Sequence, residues 1–499
     1  MSLEYVNIVI LGCSFAGLSV AHNFIQNTLP ELRSTGSAPK YRLVVISPST
    51  HLYWNIGAPR AIVSPDLVPL SANFVPIEEG FKRYPKDTFA FVQGTAIAVD
   101  TIQRLVTVAL VSPEDEHRTS TASPKPNRWP SVSGNTQEPR IGTTQLVPYH
   151  ALIVATGSSH ESPLLSLHGP HERTMADLKT FHARIPEAES IIVAGGGPSG
   201  VESAGQIATY FNTTAKWPPE RHGHKKSASM DATGKRNFLG RTSASLKRRW
   251  TSSTAQLSRK PKTITLISGN DRLLPNLHPK LSANAEKKLK DLGVHIMHNT
   301  RLLSAQETPG GKTRCVLSND ITIAADLYVA ATGVRPNTAF LSTDLVDVSG
   351  AVITDPETLR VDRAGERVYA VGDCASYSKR YVLDVYEAVP ILMHNLRNDL
   401  VAFEIGIEGG AGAEEEIAKL EDARYLQNPT DTQLIPITRR GGVGVIYGHR
   451  LPSLMVHLMK GRDYGIKKAK GVVEKGYDPY GAEAYVDQGT GRFDVEVEE

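Results

Sequence analysis

Gly195, Gly197 and Gly200 stand in the spacing G-x-G-x-x-G, between the apolar run Ile191 to Ala194 and the helix-compatible Val201-Glu202-Ser203-Ala204. A strand that turns through three such glycines into a helix suits a pyrophosphate. Gly195 makes the tight turn, Gly197 lets backbone approach the phosphates, and Gly200 lets the helix pack against the strand. The phosphates would lie on the free N–H groups of the helix's first turn, where Pro198 and Ser199 sit and where the macrodipole favours negative charge.

A second cradle lies at the start of the chain. The strand-like Tyr5 to Leu11 leads into Gly12-Cys13-Ser14-Phe15-Ala16-Gly17 and a helix expected to run to about Asn27. Ser14 replaces the middle glycine; it is small enough to preserve a close approach, and its hydroxyl could donate to a phosphate oxygen. The following strand, Tyr41 to Ile46, ends at Ser47, where such a motif usually carries Asp or Glu for the ribose hydroxyls. The strand Thr263 to Ile267 likewise ends without an acid, at Ser268-Gly269-Asn270, so nothing in that triplet repels the 2′-phosphate of NADPH. Two further strands end in Ala155-Thr156-Gly157 and Ala331-Thr332-Gly333, small residues that let the chain cross close to a nucleotide.

Two cradles of this kind imply an α/β protein with two nested Rossmann-like, doubly wound domains and a C-terminal α+β module. The expected boundaries are 1–160 and 331–405 for the outer domain, 161–330 for the inserted one and 406–499 for the module. Two antiparallel strands, Phe89 to Val99 and Arg104 to Val111, extend the first sheet. His51 to Val63 reads as an aromatic-rich loop with one cation, Arg60. Tyr386 to Phe403 reads as a helix in which Pro390 is tolerable only in the first turn. Two insertions, about 112–142 and about 213–262, have the composition of disordered segments.

The 499 residues, 40% hydrophobic and 21% charged, are those of an ordinary globular protein. The net charge of +3 conceals a basic segment: Lys216 to Lys262 carries thirteen Lys and Arg against Glu220 and Asp231. Its Asn237 to Trp250 stretch mixes aromatic and cationic residues, as a membrane-surface segment does, but a solvated insertion is the plainer reading. No recognition fold for nucleic acid accompanies it. Cys13, Cys315 and Cys374 form no close pair, which argues against a dithiol relay or a zinc site. His222 and His224 lack a carboxylate or thiol partner, and no metal is expected. No apolar run spans a bilayer, and Met-Ser-Leu-Glu-Tyr is no leader, so the expected location is the cytoplasm, with peripheral membrane contact left open.

The ordered set GCSFAG, VATGS, GGGPSGVE, AATGVRPN and VYAVGDCAS resembles the FAD/NAD(P)H pyridine nucleotide oxidoreductases. Within them NIGAPRAIV, RRGGVG and LMKGRDY are similar to the AIF-like branch near the type II NADH:quinone oxidoreductases. The resemblance implies FAD as cofactor and NAD(P)H as co-substrate. It assigns Gly12, Ser14, Phe15, Ala16 and Gly17 to the FAD pyrophosphate, Arg60 and the backbone of Ala96 to FAD contacts, and Asp373, after Gly372, to the ribityl chain. Gly195 to Gly200 fall to the NAD(P)H pyrophosphate, Glu202 to the nicotinamide, and Lys460 to the flavin. Ser14 and Ser47 depart from the family's glycine and acid, which leaves ribose recognition open. Lys460 and the positive helix end expected near Tyr386 suit negative charge on a reduced flavin.

Without a cysteine pair, electrons must leave the flavin directly, and a quinone is the simplest acceptor. The alternatives are a slow NADH-responsive signalling flavoprotein and a reductase of a protein electron carrier.

Overall fold

The structure is a computed structural model describing residues 5–32, 39–111, 143–213 and 260–481. The chain enters on β1 (Val6–Leu11), turns into α1 (Phe15–Asn23) and returns as β2 (Tyr41–Ser47). It continues through β3 (Phe89–Asp100), β4 (Leu105–Leu110), β5 (Thr144–Pro148) and β6 (Ala151–Val154). It then crosses by β7 (Ser158–His160) into a second sheet: β8 (Ser190–Ala194), helix α2 (Pro198–Asn212), β9 (Thr263–Ile267), β10 (Val294–Met297) and β11 (Leu327–Ala330). It comes back by β12 (Val334–Pro336) and completes the first sheet with β13 (Val368–Ala370).

The first sheet has the order β13-β6-β1-β2-β3-β4-β5, and the second β10-β9-β8-β11. All pairs are parallel except β3 with β4 and β4 with β5. The fold is therefore two nested doubly wound units, the second inserted between β6 and β13. The two crossings, β7 and β12, pair antiparallel with each other. Strands β1, β6 and β13 are buried throughout, as parallel strands covered on both faces must be.

The helix after β13 departs from the sequence expectation. α3 spans Val382–Glu408, so it starts before Tyr386 and holds Pro390 in its interior. Tyr381 caps it, its backbone N–H donating to Asp384 Oδ2 at 3.2 Å. Pro390 itself is exposed, on the outer side of the helix, and its missing N–H leaves the Tyr386 carbonyl without that helical bond. The positive helix end accordingly lies at Val382, with Asp384 in its first turn, and not at Tyr386.

Other differences are smaller. The helix expected to end near Asn27 continues through a π-helical turn, Phe24–Thr28, to Leu32. The presumed loop at His51 to Val63 holds a short strand, a 3-10 turn and the helical turn Ala58–Ala61. The antiparallel extension of the first sheet has a third strand, β5. Most of both insertions, with His222, His224 and Asn237 to Trp250, lies outside the described residues. Lys262, expected within the second one, is buried and donates through Nζ to the Pro186 carbonyl at 2.6 Å.

The C-terminal module is built on β14 (Gln433–Thr438), β15 (Gly441–Ile446) and the short antiparallel His449–Arg450, with a helical turn Ser453–Val456 that runs on as the π-helical His457–Gly461. It docks on α2 at Gly205, where a Cβ would stand 2.8 Å from Ile437 Cγ2 and crowd the Ile437 carbonyl. Ile435, Ile437, Val443 and Val445 thereby share one core with Val201, Ala204 and Ala208.

Burial leaves a pH signature. His22, His51, His150, His160 and His171 are each pushed down to about 4, chiefly by desolvation; His51 and His171 also stack at 3.7 Å between ring centroids. Between pH 6.5 and about 4 the unfolded chain binds protons that the fold refuses, so this stability is complete above 6.5 and lost as pH falls. Glu387 acts oppositely: burial, then the Asp384 carboxylate, push it from 4.5 up to about 7, and its contribution fades as pH rises through that window. Burial raises Asp177, Glu202, Glu307, Asp373 and Asp384 in the same sense. In an NMR titration of the folded protein these five imidazoles should stay neutral as pH falls through 6.5 and charge only at about 4; ring midpoints at 6.5 would contradict this.

Candidate active site

The first glycine cradle is set by its neighbours. Gly12 has φ +98°, and a Cβ there would overlap the Ala155 carbonyl beyond β6. The turn is thus held between β1 and β6, with Gly12 N–H donating to the Ile46 carbonyl at 2.8 Å. Ser14 is exposed at the N-terminus of α1, and its side chain caps no backbone N–H. Phe15 leans on Trp54, with centroids 5.3 Å apart. Ala16 meets Gly372, where a Cβ would come 3.3 Å from the Ala16 Cβ. Beside it the Asp373 carboxylate accepts from the Ser158 hydroxyl at 2.8 Å, and burial raises its pKa. Gly12 to Gly17, Thr156-Gly157 and Gly372-Asp373 therefore border one site.

Ser47 is buried, and its hydroxyl donates to the Ser49 carbonyl at 3.1 Å. Its register partner on β3 is Gln93, whose side-chain amide nitrogen is buried with no hydrogen-bond partner. Gln93 was not singled out in the sequence, because nothing local marks it. Ala96 is three residues further along β3, past the carboxyl end of β2.

The second cradle repeats the design. Gly195 has φ +125°, and a Cβ would overlap the Ala331 carbonyl; one on Gly200 would overlap the Gly195 carbonyl. Gly197 differs: apart from its own stretch of chain, no atom of the described residues lies within 4 Å of its Cβ position. Protein packing fixes Gly195 and Gly200, whereas the opening at Gly197 is what a pyrophosphate needs. Thr332 and Gly333 are exposed at the end of β11.

Beside the second cradle lies a cleft lined by Asn55, Ile56, Ala58, Pro59, His160, Leu165, Pro198, Ser199, Glu202 and Lys460. Glu202, on the first turns of α2, is 3% exposed. Its Oε1 accepts from Lys460 Nζ at 2.7 Å, and Lys460 also donates to the Leu434 carbonyl at 3.0 Å. Burial raises the Glu202 pKa; the Lys460 ammonium, Arg60 and Tyr464 oppose that rise. Two residues 258 positions apart thus form one unit across the cleft wall.

Arg60 is buried directly behind them. Its Nε donates to Gln206 Oε1 at 3.0 Å, Nη1 to the Arg462 carbonyl at 2.9 Å and Nη2 to the Gly461 carbonyl at 2.6 Å. It also covers the Tyr464 ring, 4.6 Å from its centroid. Arg60 therefore fastens the π-helical turn carrying Lys460 to the helix carrying Glu202.

His160 is a second residue that sequence reasoning missed. It sits on β7, with Nε2 3.2 Å from the Ser199 hydroxyl and Nδ1 3.2 Å from the Gly333 carbonyl. Burial keeps the ring neutral above about pH 4.

The family model of the pyridine nucleotide-disulphide oxidoreductases matches residues 6–391, which include both cradles. The chain belongs to that family. "Oxidoreductase phnG" of Penicillium herquei is 32% identical over 474 residues, covering 93% of this chain and 95% of that protein. "Oxidoreductase ptaL" of Pestalotiopsis fici is 28% identical over 369 residues, covering 74% and 76%. The water-forming NADH oxidase of Lactobacillus brevis shares the fold at a TM-score of 0.50 and 15% identity, over 79% of this chain and 69% of that one. As a member of the family the protein is an oxidoreductase that takes FAD, with NAD(P)H as co-substrate. The open space at Gly197 and the uncommitted Ser14 side chain fit two dinucleotides.

The dithiol in the family's name has no counterpart here, since all three cysteines are buried and free. Burial raises each thiol's pKa, and Cys374 Sγ lies 3.4 Å from the Val154 carbonyl within the core. Replacing all three with Ala should leave turnover within about twofold, because a thiol held protonated is a poor nucleophile. A large loss of turnover with FAD still bound would give a thiol a place in the chemistry. Among the described residues no three His, Cys, Asp or Glu are grouped to hold a metal, and no helix is long and apolar enough to cross a membrane.

Proposed function

We propose that the protein oxidises NAD(P)H through FAD and passes the electrons directly to a quinone or similar small acceptor. In this reading the outer fold holds FAD and the inserted fold holds NAD(P)H. When bound, FAD supplies a carrier that takes up two electrons from the nicotinamide and releases them to an acceptor. The observation that carries the proposal is the Glu202–Lys460 pair in a cleft beside the second cradle. The apolar Ile56, Ala58, Pro59 and Leu165 on its walls suit a flat ring, and positioning is what hydride transfer requires.

Each residue then has a task. Glu202 orients Lys460 and presents a carboxylate to the nicotinamide side of the cleft. Lys460, held against Glu202 and the Leu434 carbonyl, keeps a positive charge near the flavin side. Arg60 and Gln206 hold both at a fixed spacing. Assignment to the AIF-like branch is supported by the meeting of its motifs: Arg60 of NIGAPRAIV bonds to the Gly461 and Arg462 carbonyls of LMKGRDY. RRGGVG closes against the helical turn Ser453–Val456 that leads into LMKGRDY, Gly442 N–H donating to the Ser453 hydroxyl at 3.0 Å.

The test reduces the purified flavoprotein anaerobically with NADH or NADPH and then offers acceptors. Rapid reoxidation by a soluble quinone supports the proposal. Reoxidation only by a ferredoxin or an electron-transferring flavoprotein would replace the quinone with a protein carrier. A long-lived reduced complex that no acceptor discharges would indicate the signalling alternative.

A further inference from the structure

The carboxyl end of β9 is where a doubly wound fold meets the adenosine ribose of its nucleotide. The loop following β10 folds down onto it. Ser268 N–H donates to the Met297 carbonyl at 2.8 Å, Thr300 N–H to the Ser268 carbonyl at 2.9 Å and Asn299 N–H to the Asn270 carbonyl at 3.0 Å. These bonds deliver Arg301 to the strand end. Its stem lies over Gly269, where a Cβ would come 3.1 Å from Arg301 Cγ and 3.5 Å from its Nε. A side chain at 269 would push that stem aside.

Ser268 occupies the place of the acid that grips a ribose in NADH-binding sites. It is fully buried, and its hydroxyl donates to the Asn270 carbonyl and accepts from the Asn270 N–H, both at 3.3 Å. Residues 268–270 thus offer a ribose no carboxylate. Of the charges nearby, Asp271 is exposed, and Arg272 donates to the Pro275 carbonyl at 2.6 Å. Arg301 is exposed, and its guanidinium has no hydrogen bond or ion pair among the described residues.

We propose that Arg301, lying over Gly269 beside Asn270, is the subsite for a phosphate monoester on the adenosine ribose, which makes NADPH the preferred donor. A guanidinium presents paired N–H donors to phosphate, and no carboxylate at 268–270 opposes the ligand's charge. The proposal rests on the reading that the inserted fold binds NAD(P)H.

Calorimetric binding of 5′-ADP, 2′,5′-ADP and 3′,5′-ADP tests it without any turnover. The wild-type chain should bind 2′,5′-ADP about 10- to 100-fold more tightly than 5′-ADP. Arg301→Ala should erase that difference at unchanged Tm, and Arg301→Lys should keep part of it. Equal tightening by 3′,5′-ADP would overturn the 2′ assignment, and binding of all three with one affinity would remove the subsite. If 5′-ADP itself fails to bind, the nucleotide reading of the fold falls with it. The ratio of kcat/KM for NADPH over NADH should drop in Arg301→Ala by the same factor.

Discussion

Gly197→Val should abolish reduction by NAD(P)H at ordinary concentrations, with kcat/KM falling about 10²-fold or more, while FAD content and Tm stay near wild type. The contrast with its neighbours makes this specific. A side chain at Gly195 meets the Ala331 carbonyl and requires φ +125°, so Gly195→Ala should break the turn and lower stability. At Gly197 the backbone is extended, φ −80° and ψ −177°, and apart from its own stretch of chain no atom of the described residues lies within 4 Å of the Cβ position. Valine is accommodated there by the protein, but it fills the space reserved for the pyrophosphate. Dithionite should still bleach the variant's flavin. An unchanged KM in a well-folded Gly197→Val protein would remove the pyrophosphate from this turn.

Glu202→Ala and Lys460→Ala should each slow flavin reduction about 10²-fold, and the double variant should be little worse than either alone. The two groups act through one contact of 2.7 Å, so removing either partner frees the other. Stability should respond asymmetrically. Losing Lys460 strands a 3% exposed carboxylate, whose burial already favours the protonated form. Losing Glu202 leaves an ammonium that is 23% exposed at the side chain and still bonded to the Leu434 carbonyl. Lys460→Ala should therefore be the less stable of the two near neutral pH and recover as pH falls. Additive rate losses in stopped-flow reduction would show that the groups work independently.

Much of this arrangement is legible in the sequence, and the reasons are local. Thr263 to Ile267 and Ile191 to Ala194 read as strands, the second one residue short of the observed Ser190–Ala194, because short apolar runs bounded by Gly, Ser and Asn have few other uses in a doubly wound sheet. The start of the helix Pro198–Asn212 follows from its glycine turn. What could not be read depends on distant partners or on exposure. Pro390 signals an early helical position by local rule, yet the helix carries it in its interior on an exposed face, a placement set by packing of the whole helix. His160 lies on a three-residue strand with no pattern of its own, and its neighbours Ser199 and Gly333 are 39 and 173 positions away. Arg60 reads as a cofactor contact by resemblance, yet its hydrogen bonds go to Gln206, Gly461 and Arg462. No local feature of NIGAPRAIV announces that fastening.

The most direct measurement is an anaerobic titration of the purified, FAD-loaded protein with NADPH, followed at the flavin absorbance. A single two-electron carrier without a dithiol should bleach completely with one equivalent of nucleotide per flavin, and a quinone should restore the yellow colour. A requirement for two equivalents would reveal a second redox centre, and a flavin that the nucleotide leaves oxidised would contradict the account outright.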